Sequence, residues 1–322
     1  MKICNLFFTL LFAAIIGSTA ATAQTLDDVV NKFNSAAEHV NSDAAKAAGL
    51  LEEAVELATK VGAEADELRL MAQAQLPAVY FRVGTEQQRD GNTESALAAF
   101  HKSLDLGLEY NDPNTVSRAQ NILGRLYLSQ GNAAYRANEN EKAIELLTKS
   151  VEFDPDNQRT YLLLGLTNRR LENLEGMIGT MDLAIEKARA ADDEQTQATA
   201  EKSMRDYLAV RANRSIQGNR STEAVEYLNI ALKYGEEAQT YFLLTLAYNS
   251  LQQWDNSITA ASKALELEAG DAAEKAKIHF EMGNALREKG DTDAACRAFR
   301  SAAHGNYAEA ANYQIQHVLK CN

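Results

Sequence analysis

Gly131 and Ala143 stand twelve residues apart in the stretch GNAAYRANENEKAIELLTKSVEFDP, and this interval constrains the chain more than any other feature. Each is a small residue where a neighbouring helix must come close. Leu147 and Ser150 follow at helical spacing, and Pro155 ends the run because it cannot continue a helix. The stretch therefore reads as two short amphipathic helices with a tight break between them. With this unit as a ruler, the residue that opens the core of each second helix falls at Ala47, Ala96, Ala143, Met177, Ala224, Ser257 and Ala295. The spacings are 49, 47, 34, 47, 33 and 38, so the array is in register but irregular. The gaps of 47 and 49 residues leave room for first helices that are longer by about three or four turns.

The rest of the chain fits this scheme. Leu26–Val40 and Ala44–Lys60 form a weak first pair, with Ala47, Leu51 and Ala54 on one face. Glu64–Gln88 reads as a long helix bent at Pro77, since an internal proline removes a backbone bond and crowds the preceding turn. Tyr80, Val83 and Gly84 lead into Gly91, Ala96 and Phe100, and Asn111-Asp112-Pro113-Asn114 is a turn signal. Tyr161, Leu164, Gly165, Met177, Met181 and Ala184 form the next unit, closed by the acidic break Ala190–Gln195. Leu208, Ala212, Ala224, Leu228 and Ala231 follow, then Tyr241, Leu244, Tyr248, Trp254, Ala261 and Ala264. Met282, Gly283, Leu286, Gly290, Ala295, Phe299 and Ala302 give the last unit, and an amphipathic helix from Asn306 to Lys320 is expected to cover it. With three prolines and no alternating Val/Ile/Thr runs, the chain reads as almost wholly helical.

This order of small, large and breaker residues resembles the tetratricopeptide repeat, a helix-turn-helix unit of about 34 residues. The resemblance covers most of residues 28–305. It departs at Asn138, where the family usually has glycine, and at Met177 and Ser257, where alanine is usual. It implies an all-α, right-handed solenoid of helical hairpins with about six to seven repeats and a C-terminal capping helix. The expected organisation is a leader over 1–23, N-terminal helices with a degenerate repeat over 24–76, the repeat array over 77–305 and the cap over 306–322.

The same resemblance implies a concave face lined by first helices that holds a peptide or protein segment. Mapped onto this sequence, the groove stripe takes Arg125, Asn132, Tyr135 and Arg136, then Arg159, Arg169 and Arg170, then Arg205 or Asp206 with Asn213. Arginine forks suit carboxylates, and asparagine can bond an extended backbone. The alternative is that these arginines pair with nearby acids such as Glu172 and Glu175. The lysine clamp of some family members is not implied, because Leu128 and Ala209 stand at its positions.

At the N-terminus, Lys2, the eleven-residue apolar run Leu6–Ile16 and the small-x-small site Ala21-Thr22-Ala23 read as a cleaved secretory signal. Eleven residues are too few for a bilayer, which needs roughly 20, and no other long apolar segment follows. The protein is accordingly expected outside the cytoplasm, in the periplasm or beyond the cell. The formal net charge of −13 argues against generic nucleic-acid binding. Residues 111–220 carry 15 basic and 16 acidic residues between two acidic flanks, and the groove there is expected to receive an acidic or C-terminal segment of another exported protein.

No nucleophile elbow, phosphate loop, dinucleotide fingerprint or His-Glu-x-x-His occurs, and neither an enzyme nor a cofactor is expected. Cys296 and Cys321 remain once the leader, with Cys4, is removed. They fall at the start of one helix and the end of the next, which suits a disulfide if the two pack antiparallel. Free thiols are one alternative. A metal site is another, with His317 and Cys321 four apart on a helix and His304 near in sequence. The function expected is a non-enzymatic binding scaffold, with a structural subunit of an envelope complex as the second reading and an enzyme as the third.

Overall fold

The computed structural model describes residues 22–321. The expected leader, with Cys4 and the apolar run, lies outside the described residues up to its last two positions. Among the described residues the chain is all-α, with fifteen α-helices and no strand. They run as successive pairs: α1 (Thr22–His39) and α2 (Ala44–Val61), α3 (Asp66–Arg89) and α4 (Thr93–Glu109), α5 (Pro113–Arg136) and α6 (Asn140–Phe153), α7 (Gln158–Arg170) and α8 (Leu174–Ala190). Then come α9 (Glu194–Gln217) and α10 (Ser221–Ala231), α11 (Ala238–Ser250) and α12 (Trp254–Leu267), α13 (Ala272–Lys289) and α14 (Thr292–Ala302), with α15 (Ala308–Tyr313) last.

The chain divides into two compact units, one of residues 22–129 with 152–154 and one of residues 130–151 with 155–321. The core of the first gathers Ala47, Leu51 and Ala54 of α2 with Ala72, Leu76 and Val79 of α3. In the same unit Tyr127 stacks on Phe153 at 5.7 Å between centroids. The expected boundary between residues 76 and 77 falls inside α3, which is continuous through the buried Pro77. The Pro77 carbonyl accepts a hydrogen bond from the buried Ser103 hydroxyl of α4, 2.8 Å away. In the second unit Met177, Met181, Met204, Leu208 and Tyr234 form one cluster, and Leu228, Leu243 and Leu244 another.

Six hairpins share one turn. The chain enters the left-handed region at Gly91, Asn138, Glu172, Asn219, Gln252 and Gly290. The next N–H then reaches back five residues, as from Asn92 to the Gln87 carbonyl (2.9 Å), Asn173 to Asn168 (3.0 Å) and Arg220 to Ser215 (2.7 Å). This closes the first helix by satisfying carbonyls that would otherwise be orphaned. Asn138 is thus a residue type that tolerates the left-handed region in the place of glycine. The residue that opens each second core, from Ala96 to Ala295, lies five positions after the left-handed residue in all six hairpins. The register of the array is therefore the register of the turns.

The hairpins close by size complementarity. Seven residues before each left-handed position stand Gly84, Gly131, Gly165, Ala212, Thr245 and Gly283, and nine after it Phe100, Leu147, Met181, Leu228, Ala261 and Phe299. All are buried. A Cβ at Gly84 would lie 2.8 Å from the Phe100 ring, and one at Gly131 or Gly165 2.7 Å from Leu147 or Met181. Where the second residue shrinks to Ala261, the first grows to Thr245.

The long gaps in the array have a simple cause: α3, α5 and α9 have 24 residues each, against 13 for α7 and α11. The first pair is the exception to the common turn. Between α1 and α2 the N–H groups of Ser42 and Asp43 both bond the His39 carbonyl, and no residue there has positive φ.

The cap differs from the single helix expected. It is a 3₁₀ turn (Gly305–Tyr307), the six-residue α15 and a π turn over Gln314–Val318. The widened turn, in which the Leu319 N–H bonds the Gln314 carbonyl at 2.9 Å, redirects the chain toward α14. Cys321 there meets Cys296 in a disulfide, with Cα atoms 5.8 Å apart, which leaves the metal alternative without its thiolate. Ile315 and Leu319 pack on the last hairpin's core of Leu286, Ala295 and Phe299.

Two outcomes follow for denaturant unfolding. Gly84→Ala should cost about 1–3 kcal/mol by overpacking against Phe100, and adding Phe100→Leu should recover part of it, since the Ala212/Leu228 hairpin carries that pair natively. Cys321→Ser should cost about 3 kcal/mol in the chain-entropy account of a loop this long, read as a lower denaturant midpoint equal to that of reduced wild type.

Candidate functional site

The groove residues expected from the sequence are distributed over both compact units. Arg125 belongs to the first unit, is exposed, and donates from Nε to the Asn121 carbonyl at 3.3 Å. In the second unit Arg159, near the start of α7, lies 3.7 Å from Asp193. That aspartate caps α9, accepting from the Thr196 N–H and hydroxyl. The Gln158 amide, then those Thr196 bonds, hold its carboxyl down at about 2. Arg159 is therefore near an acid at one end of α7, while Arg169 and Arg170 stand at the other.

Arg170 joins two hairpins. Its guanidinium stacks on the Tyr135 ring, 3.5 Å from the centroid. It also donates to the Tyr135 carbonyl and, at 3.2 Å, to the Asn138 side chain. It thus grips the left-handed turn between α5 and α6. Asn132 is half-buried and Arg136 exposed on α5, and Asn213 is exposed on α9.

Arg169 and Arg170 do meet a further set of residues. With Glu172 of the turn after α7, they form one wall of a cleft of about 310 Å³ whose other wall is α9, through Asp206, Tyr207, Val210, Arg211 and Arg214. Positions 207, 210, 211 and 214 share one helical face, so four arginines converge from two neighbouring first helices. None of the four makes an ion pair among the described residues, and Asp206 pairs with Lys202 at 2.8 Å. Four arginines against two acids leave the cleft with a formal charge of +2, in a chain of −13.

Arg211 is held by two tyrosines. It donates to the Tyr207 hydroxyl at 3.1 Å and to the Tyr227 hydroxyl at 3.3 Å. These bonds, that to Tyr227 foremost, favour the charged guanidinium and push its proton affinity further up. Tyr227 in turn donates to Glu223 at 2.8 Å, and Glu223 also accepts from Ser215 and faces Arg220 at 3.4 Å. The Tyr227 bond is the main cause of the lowered Glu223 pKa.

The sequence mapping missed Tyr207, Arg211 and Arg214. Their spacing along α9 was the available signal, but the residue before Ala212 falls where a repeat usually buries an apolar side chain. A larger depression of about 550 Å³ lies between α8 and α10, floored by Ile178, Ile185 and Ile230. Much of its charge is already matched: Arg189 pairs with Glu201 at 3.1 Å, and Asp182 accepts from Tyr234 at 2.8 Å. The arginine cleft is the better candidate.

Residues 124–157 match a family model described as the tetratricopeptide repeat; they comprise the end of α5, α6 and the turns that follow each. No curated protein matches the chain. Among solved structures, a tetratricopeptide repeat protein from Parabacteroides merdae is 14% identical, covering 93% of this chain and 100% of its own, with a TM-score of 0.28. The P58(IPK) TPR domain is also 14% identical, covering 91% and 98%, with a TM-score of 0.32. YrrB, described as a TPR protein with an unusual peptide-binding site, is 16% identical over 60% of this chain and 88% of its own, with a TM-score of 0.33.

The Arg170 tie is testable apart from any ligand. Arg170→Ala should destabilise by about 1 kcal/mol. Arg170→Lys should fail to restore it in thermal unfolding, because an ammonium can neither stack flat on Tyr135 nor fork to two acceptors.

Proposed function

We propose that this chain is a non-enzymatic, exported scaffold of the tetratricopeptide type, which holds an acidic segment of another protein between α7 and α9. The observation that carries this reading is the cleft itself. Four arginines converge on a space of about 310 Å³ without an ion-pair partner among the described residues. Such guanidinium groups are strong donors to carboxylates, and the bidentate pairing adds geometric selectivity to charge. The repeat match at residues 124–157 supports a protein or peptide as the ligand class, because repeats of this kind present extended binding surfaces.

Export rests on the leader pattern in residues 1–23, and the disulfide suits an oxidising compartment. No helix among the described residues is long and apolar enough to cross a membrane.

Affinity capture from the native cell tests the reading. Wild-type bait should retain a partner that salt releases, and Arg169→Glu with Arg214→Glu should lose it while unfolding at an unchanged temperature. Equal capture by both baits would refute the cleft. A salt-resistant partner in fixed stoichiometry on both baits would instead make the chain a structural subunit of an envelope complex.

A further inference from the structure

Among the arginines of this chain, those held in place are mostly held by acids. Arg205 is bound to Glu237 at 2.7 Å, Arg189 to Glu201 at 3.1 Å and Arg69 to Asp66 at 3.0 Å. Such pairs fix the side chain and neutralise it together. Arg211 is fixed differently: its two recorded hydrogen bonds go to tyrosine hydroxyls, which are neutral, and its guanidinium lies 5.7 Å and 5.2 Å from the centroids of those same rings. It is partly buried on the cleft wall, whereas Arg214, on the same helix, is exposed. Glu223 lies one hydrogen bond further on through Tyr227 and acts on Arg211 through its field rather than as an ion-pair partner, so the guanidinium is ordered without a direct acid and loses little side-chain entropy on meeting an anion. Two bonds use two of its five N–H donors, so a carboxylate can still be received.

From this we infer that Arg211 is the specificity-determining anchor of the cleft, taking a side-chain carboxylate of an extended acidic protein segment, with Tyr207 as its positioning residue. The inference rests on the scaffold reading above and deepens it. Acidic side chains, rather than a chain terminus, are the occupant, because the cleft carries arginine on both walls and a formal charge of +2. One terminal carboxylate would neutralise half of that, and two neighbouring acids neutralise all of it. Arg169 and Arg214 then supply attraction to the second carboxylate, and Arg211 supplies geometry to the first.

The probe is fluorescein-labelled hexaglutamate with an amidated C-terminus, titrated by fluorescence anisotropy into the full chain, with hexaglutamine as the control. Arg211→Lys keeps the charge and loses the fork, and should weaken hexaglutamate binding about tenfold. Tyr207→Phe removes a hydroxyl whose one recorded bond is to Arg211. It should weaken binding several-fold while leaving the salt dependence unchanged, since no charge is lost. Arg214→Gln should weaken binding less than Arg211→Lys but flatten the salt dependence. A purely structural role for Tyr207 would show as a lower unfolding temperature with unaltered affinity, and would overturn its assignment. Wild-type affinity in Arg211→Lys would overturn the anchor while leaving the scaffold intact. Tighter binding of a free-carboxyl than an amidated peptide, lost in Arg211→Lys, would replace side chains by a terminus and overturn the occupant. If hexaglutamate bound no better than hexaglutamine, the acidic-segment reading itself would fall.

Discussion

The close approach of two helices across each hairpin is the constraint on which the rest of this structure depends. A glycine on the first helix lets the neighbour's large side chain reach the backbone, as Phe100 does at Gly84 and Phe299 at Gly283. The buried contact is made of dispersion and apolar burial, both of which fall steeply with a gap of even one methyl group. The left-handed turn residue sets which pair of side chains meets, because it fixes the distance along the chain from turn to contact. Together they explain how an array with spacings from 33 to 47 residues can hold one register: the extra length enters as added turns in α5 and α9, away from the hairpin contact.

The same economy shapes the candidate site. A short α7 ends where its last two arginines face the later part of the long α9, and the cleft lies between those two helices. Arg170 serves the architecture first, since it grips the preceding turn through Tyr135 and Asn138. Arg211 is held instead by the hydroxyls of Tyr207 and Tyr227, with Glu223 beyond the second of them. A groove position in sequence is thus not yet a role: neighbours decide whether an arginine holds the protein together or remains available to a ligand.

Parts of this were legible in the residues. The interval from Gly131 to Ala143 defines the hairpin, and it carries over to Ala96, Ala224 and Ala295 with few departures. The helical class followed from residue types that favour helices and the lack of strand patterns. Glu172 and Gln252 as left-handed turn residues were not legible, because neither type signals positive φ; only the closing of the hairpin imposes it. Arg211 was also hidden, since it falls where a repeat usually buries an apolar side chain, and only Tyr207 and Tyr227 around it show how a guanidinium is held there.

What the sequence by itself determined is the order of small, large and turn residues, and with it the hairpin and its repetition. That pattern is local, and helix period and backbone preference act over a few residues. Only the tertiary structure decided which of the many arginines converge, which acids neutralise them, and how the C-terminal segment bends through a π turn to bring Cys321 to Cys296. Those outcomes depend on distances between helices that are far apart in the chain. Charge pairing and hydrogen bonding are settled at such distances, after packing has fixed them.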